Sequence, residues 1–419
     1  MSPLARSEVA QTRALSGADA FTSQPSLDAQ KAWLAERGIP NPYFPVHDGL
    51  AGAHTVIGGR DYINYSSYNY LGLCGAPEVS AAAKAAIDRY GTSVSASRIV
   101  SGERPIHREL EQAIAAFTRT EDCMVFVSGH GTNVTIVPEL VGPGDLVLHD
   151  GYIHNSLLLG CQLAGAKRLA FPHNNLAALE RLLVRHRANH PRALILLEGV
   201  YSMDGDLPDL PAVLALKRRY QAQLMIDEAH SMGTLGATGR GLAEHTGIAP
   251  GEVDLWMGTL SKSLAACGGY IAGAHAFIET LRYRTPGFMF SVGLMPPAAG
   301  AALAALRLLE ADPARPRRLL ARAELFRSLA RARGWNIGPS AASPIVPIVL
   351  GDAERALRLS AALREQGINV QPIVFPAVAR NKARLRFFFS SEHTEADIHA
   401  TVAALDRCLA ALAANQPAA

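Results

Sequence analysis

Two residues with chemical potential, an aspartate and a lysine, each follow a short apolar run in this sequence. Leu224-Met225-Ile226 leads into Asp227-Glu228-Ala229-His230, and the run 255–257 leads into Thr259, Ser261 and Lys262, then Cys267-Gly268-Gly269. Open α/β sheets place ligands at the carboxyl ends of their strands, so polar residues at such positions are the informative ones. A lysine there, beside small residues, suits a desolvated amine that reacts as a nucleophile. Ser128-Gly129-His130-Gly131-Thr132-Asn133 also follows an apolar run and opens a helical pattern, a geometry that offers free backbone amides to an anion. Asp150-Gly151-Tyr152-Ile153-His154-Asn155-Ser156 presents an imidazole in a comparable place. Pyridoxal phosphate asks for four things: an amine, a carboxylate that keeps its ring nitrogen protonated, donors for its phosphate, and a flat partner for its ring. Lys262, Asp227, the 128–133 segment and His154 meet them in turn.

Each of these residues also has a bland reading. Ser-Lys-Ser is commonly a surface tripeptide, and Asp227 could simply cap a helix. Two glycines without a third make no dinucleotide fingerprint, and no Gly-x-x-x-x-Gly-Lys loop occurs. The histidines at 149, 154, 173 and 230 raise the question of a metal, but no His-x-x-x-His or His-Glu-x-x-His spacing occurs, so none is expected. Order and strand-end placement together favour the cofactor.

The elements that must position these residues are legible as an alternation. Short apolar runs at 124–127, 146–149, 193–197, 224–226 and 255–257 suit strands buried on both faces, as in a parallel sheet. Helical patterns fall at 77–90, ended by Gly91, at 105–117, opened by Pro105, and at 176–187 and 210–221. This βα alternation predicts an open α/β sheet. After about residue 297 the character changes. Ala/Leu/Arg helices are expected at 298–310 and 317–333, strands at 344–350, 368–374 and 384–389, and a last helix from Thr394, with Asp397 in a capping pattern. The organisation expected is an N-terminal segment (1–60), a large domain (61–300) and a smaller α+β C-terminal domain (301–419). The Ser/Ala/Thr-rich stretch to about Gln30 is expected to be loosely ordered.

Composition narrows the classes further. The 419 residues are 49% hydrophobic and 18% charged, enough for a large core, and the net charge of +3 is nearly balanced. No basic patch points to nucleic acid, and the Arg-rich 315–333 stretch has the spacing of a solvated helix face. Five scattered cysteines (Cys74, Cys123, Cys161, Cys267, Cys408) argue against a disulfide framework and a zinc site, and for a reducing, cytoplasmic location. Neither a secretory signal nor a membrane span is expected.

Several further segments occur in one order. They are Asn64-Tyr65-Ser66-Ser67-Tyr68-Asn69-Tyr70-Leu71-Gly72, then Gly91-Thr92-Ser93 with Gly102 and His107, then Glu198-Gly199-Val200-Tyr201-Ser202-Met203-Asp204-Gly205-Asp206. Asp227-Glu228-Ala229-His230 with the 236–241 glycines, the 259–269 segment and Arg384-Leu385-Arg386 follow. In these the chain, from about 64 to 393, resembles the α-oxoamine synthase family of fold-type I pyridoxal-phosphate enzymes. The resemblance implies the aspartate-aminotransferase-like fold, with a mostly parallel central sheet. It implies that Lys262 carries the cofactor as a Schiff base and later moves the α-proton. Asp227 would pair with the ring nitrogen, His230 with the ring hydroxyl, and His154 would stack on the ring and help position the acyl donor. Gly129 and His130 would give amides to the phosphate, with Thr259 and Ser261 near it. Ser202 and Glu198 would lie near the cofactor and Asn69 near the substrate, and Arg386 would grip the amino-acid carboxylate as a fork.

The implied reaction is a decarboxylative condensation of an amino acid with an acyl thioester, on coenzyme A or an acyl-carrier protein, giving an α-amino ketone. The implied assembly is a homodimer. A transaminase or lyase of the same fold would use the same cofactor residues without a thioester. His130 stands where relatives carry an aromatic residue. Val374-Phe375-Pro376-Ala377-Val378 and Ser93-Val94-Ser95-Ala96-Ser97-Arg98 point to different branches of the family, so acyl chain length stays open.

Overall fold

The computed structural model describes residues 25–414. Most of the stretch expected to be loosely ordered lies outside them; from Pro25 the chain is helical to Glu36. Of these, residues 25–45 belong to one unit and residues 46–414 to a second, which holds every candidate site residue.

The centre of this second unit is a seven-stranded sheet. Its strands are β1 (Asp122–Phe126), β2 (Leu146–Asp150), β3 (Lys167–Phe171), β4 (Ala193–Glu198), β5 (Gln223–Asp227), β6 (Leu255–Thr259) and β7 (Gly269–Gly273). The spatial order is β1-β7-β6-β5-β4-β2-β3. All neighbours are parallel except β7, which runs antiparallel to both β1 and β6. The continuous apolar runs are explained by two-sided burial. Cys123, Val125, Leu224 and Ile226 face one core, and Met124, Phe126, Met225 and Met257 face the other.

Helices connect the strands as the alternation requires: α1 (Pro77–Tyr90) and α2 (Pro105–Thr118) precede the sheet, and α3 (Gly129–Leu140), α4 (Asn155–Ala164), α5 (Leu176–His186) and α6 (Leu210–Arg219) lie between strands. Gly91 ends α1 at a φ of 80°, and Pro105 opens α2. After the sheet come α7 (Pro296–Ala311), α8 (Ala314–Ala332), α9 (Ala353–Glu365) and α10 (Glu395–Ala414). The expected capping pattern is present before α10: Asp397 N–H donates to Thr394 Oγ1 (3.1 Å), and Asp397 Oδ2 accepts from Thr394 N–H (2.8 Å).

A three-stranded sheet of β8 (Ile345–Gly351), β9 (Pro372–Ile373) and β10 (Ala383–Phe388) has the order β8-β10-β9. The single strand expected over 368–374 is divided. Ile368–Asn369 instead joins a separate sheet with the strands His47–Asp48, His54–Ile57 and Arg60–Asn64. Side chains account for the switch, because Asn369 Nδ2 donates to Asn64 Oδ1 at 2.9 Å, a pairing across 305 residues. Among the described residues no helix is long and apolar enough to cross a membrane.

Candidate active site

Asp227 is the last residue of β5, buried, with both carboxylate oxygens engaged. Oδ1 accepts from the Ala229 amide (2.9 Å) and Oδ2 from the side-chain amide of Asn133 (2.7 Å). Asn133 lies in the second turn of α3 and also donates to Ser156 Oγ (3.0 Å), which sits 2.7 Å from Nδ1 of His154. A continuous polar chain therefore runs from Asp227 through Asn133 and Ser156 to His154, tying the end of β5 to the N-termini of α3 and α4.

Lys262 follows β6 and lines the same cavity of about 390 Å³, together with Asp227, His154, Glu198, His230 and Thr259. Its Nζ lies 5.6 Å from the centre of the Tyr68 ring. His230 is held through Nδ1 by the Tyr70 hydroxyl at 2.7 Å. Gly129 and His130 also line the cavity, where α3 begins. As the first helical residues their amides have no partner within the helix, whereas Gly131 N–H is capped by Ser128 Oγ at 3.2 Å. Glycine is required at 129 by close approach: a Cβ there would stand 2.7 Å from Thr259 Oγ1. The exposed His130 ring meets His154 edge-on, with centroids 6.2 Å apart.

Burial governs the electrostatics. It pushes the Lys262 amine down to about 8 against the opposing pull of Asp227 and Glu198. It pushes the Glu198 carboxyl up to about 8, the Asp227 charge adding to the effect and Lys262 opposing it. Glu198 accepts from the Ser202 amide through Oε2 (3.3 Å), while Oε1 has no protein partner. Burial likewise lowers both His154 and His230, and the charge of Lys262 adds to it in each. Two groups that exchange protons near neutral pH thus face one cavity beside two imidazoles held neutral.

Arg386, on β10, donates through NH1 to the Ser202 carbonyl (3.1 Å), stands 3.2 Å from Met203 Sδ, and lies over the Phe388 ring at 4.4 Å. Its Nε is buried with no protein partner. Ser202 itself is buried in the loop after β4. Arg386 and three further sequence candidates stand apart from the cavity lining. Asn69 spends its side-chain carbonyl on the Cys74 amide (3.1 Å), Ser261 is exposed and donates its amide to Thr259 Oγ1 (3.2 Å), and Ser202 meets the site through its backbone. Sequence reasoning passed over Asn133, Ser156 and Tyr70. The first two lie inside segments quoted for their glycines and histidine, and Tyr70 follows Asn69; polar residues on the first turn after a strand were the available signal. Among the described residues no group of three or more His, Cys, Asp or Glu is clustered to hold a metal. The histidines once grouped for a metal have other partners: His149 Nδ1 meets the Asp150 carbonyl (2.8 Å), and His173 meets two carboxylates.

The donor set fits pyridoxal phosphate: an amine, a carboxylate at fixed orientation, a flat imidazole, and free amides at a helix N-terminus converge on one cavity. Known proteins agree. The profile of the aminotransferase class I and II family matches residues 60–405. The chain is 43% identical over 384 residues to the 8-amino-7-oxononanoate synthase of Geobacter sulfurreducens, covering 91% of this chain and 97% of that one. It is 42% identical to the corresponding enzyme of a Methylobacterium, covering 92% and 96%. The serine palmitoyltransferase of Sphingomonas wittichii superposes with a TM-score of 0.89 at 31% identity, over 93% of this chain and 98% of that one. The 8-amino-7-oxononanoate synthase of Francisella tularensis superposes with a TM-score of 0.73 at 26% identity, over 84% and 99%.

Proposed function

Because the chain belongs to the aminotransferase class I and II family, and within it to the α-oxoamine synthases, we propose the role of each residue in its reaction as follows. The protein is a pyridoxal-phosphate enzyme that condenses an amino acid with an acyl thioester to an amino ketone. The observation that carries the assignment of roles is the convergence of Lys262, Asp227, His154 and Glu198 on one cavity at the carboxyl ends of β4, β5 and β6.

Lys262 would hold the cofactor aldehyde, Asp227 the ring nitrogen, His154 the ring face, His230 the ring hydroxyl, and the amides of Gly129 and His130 with Thr259 the phosphate. When bound, the cofactor supplies an electron sink for negative charge at the substrate α-carbon. Asp227 keeps its charge directed at one atom because Asn133 and Ala229 fix both its oxygens. His154 cannot rotate away, since Ser156 holds Nδ1. Lys262, its basicity lowered by burial, is able to accept and return the α-proton near neutral pH. Arg386 binds the amino-acid carboxylate, its guanidinium pre-set by Ser202 and Phe388. Ser202 sets that guanidinium through its carbonyl, and Ser261 and Asn69 act through the loops they brace.

A small amino acid is the substrate to try first, serine being the one in the name of the structural relatives. Residues 61–300 would be the cofactor-holding domain and 301–419 the smaller domain that supplies Arg386. The assembly would be a homodimer. Ile99, Val100, Phe290 and Met295 are exposed on two segments joined by the hydrogen bond from Gly293 N–H to the Ala96 carbonyl (3.0 Å). The scattered free thiols favour a cytoplasmic location.

The test is free-thiol release from a panel of small amino acids and acyl thioesters, with mass spectrometry of the products. Thiol, carbon dioxide and an amino ketone in equal amounts are expected. Amino-group transfer with no thiol release across the panel would sink the assignment.

A further inference from the structure

His173 plays no part in the roles above, yet it is the most tightly held imidazole near the site. It follows β3, and its ring bridges two carboxylates: Nδ1 lies 2.9 Å from Asp150 Oδ1 and Nε2 lies 2.8 Å from Asp206 Oδ2. A carboxylate on each nitrogen requires both nitrogens to donate, so the ring is the cation. Burial opposes that charge, but the two hydrogen-bonded carboxylates outweigh it and push the group up to about 10. Tyr152 stacks on one side at 4.3 Å and Tyr201 meets the ring edge-on at 4.5 Å. Asn174, the next residue, repeats the bridge: its amide donates to Asp150 Oδ2 (2.7 Å) and its side chain to Asp206 Oδ2 (2.8 Å).

What the two carboxylates belong to gives the contact its meaning. Asp150 ends β2 and orders the turn into His154, accepting the Tyr152 amide at 2.8 Å. Asp206 closes the loop after β4, whose earlier residues hold the arginines of β10. Asp204 Oδ1 accepts from Arg384 (2.6 Å), and the Ser202 carbonyl accepts from Arg386 (3.1 Å). Gly205 locks that loop onto the small sheet, with a φ of 71°, and a Cβ there would meet the Ile345 carbonyl at 2.1 Å. Arg384 and Arg386 are two apart on one strand and so share a face.

We propose that His173 is a positioning residue: its ring ties the loop carrying His154 to the loop gripping Arg386, and so fixes the substrate's carboxylate site relative to its ring-stacking site. The inference rests on the roles given to His154 and Arg386 above. A group acting this way affects ligands that use both anchors, and leaves those that use one nearly unchanged.

The test compares His173→Phe, which keeps the stacking and removes both hydrogen bonds, with the double variant His173→Gln/Asp206→Asn, which restores a chain of donors and acceptors between Asp150 and position 206 without the imidazolium. L-serine and ethanolamine, the same molecule without its carboxylate, are titrated against cofactor-loaded protein by absorbance, and amide hydrogen exchange is followed across 199–206. His173→Phe is expected to weaken L-serine about tenfold and ethanolamine less than about twofold, with faster exchange in 199–206. The double variant is expected to recover most of the L-serine affinity. Equal weakening of both ligands, unchanged exchange, or no recovery would overturn the proposal while leaving the reaction assignment standing. Wild-type protein that binds neither L-serine nor any other amino acid would overturn that assignment, and this inference with it. Should His173→Phe fail to fold, the double variant decides: L-serine discrimination close to wild type supports the proposal, and its loss overturns it.

Discussion

His154 and His173 are nineteen residues apart, follow neighbouring strands of one sheet, and end in opposite charge states. Burial lowers both. At His154 the carboxylate that favours its charged form, Asp227, is already spent on Asn133 and Ala229, and burial keeps the ring neutral. At His173 two carboxylates bond the ring directly and hold it cationic. The difference shows what a cavity for carbanion chemistry requires. The imidazoles, amine and carboxyl that face the cavity are kept uncharged or near their titration point by burial without a bonded opposite charge, while the scaffold around them uses fully paired charge. Glu198 belongs to the first kind, with one oxygen unpartnered; Arg384, paired with Asp204, belongs to the second.

The comparison breaks hardest at the lysine. Lys262→Ala removes the amine that holds the cofactor and moves the proton, so thiol release should fall by at least about 10⁴-fold, measured under saturating cofactor. A variant that kept a tenth of its activity would refute that double role. Asp227→Asn comes next. The neutral amide still fills the space but no longer favours a protonated ring nitrogen, and kcat should drop by about 10² or more, with cofactor binding affected less. Among the groups without a bonded charge, His154→Ala should weaken cofactor binding by about tenfold, read by dialysis or absorbance titration, since aromatic stacking contributes about 1 kcal/mol.

The smallest effect sharpens the contrast by pH. His173 has a folded value of about 10, above its usual 6.5, so its contribution to stability is complete below about pH 6.5 and is lost as pH rises through 10. Wild-type Tm should therefore fall more between pH 7 and 10 than that of His173→Gln/Asp206→Asn, which lacks the imidazole that titrates there. Parallel declines in a calorimeter would contradict the charged bridge.

Much of the molecule was open to sequence reasoning for a local reason. A strand buried on both faces must be an apolar run, and a ligand site at its end must be the polar residues that follow, so Asp227, Lys262 and His154 stood out together. The strand Gly269–Gly273 was not legible, because its glycines hide the apolar signal, and the need for them comes from close approach of α3 at Gly269 and of Asp254 at Gly273. The division of 368–374 was hidden too, since one half is drawn away by Asn64.

By itself, then, the sequence determined which side chains the strand ends present and which cofactor they suit, because side-chain type and strand burial are local properties. Only the tertiary structure decided which of them share protons. Asp227 meets Asn133 across 94 residues, and His173 meets Asp150 and Asp206 across 23 and 33. Those pairings follow from the order of strands in the sheet, and hydrogen bonds at 2.7–2.9 Å between such distant positions leave no periodic trace along the chain.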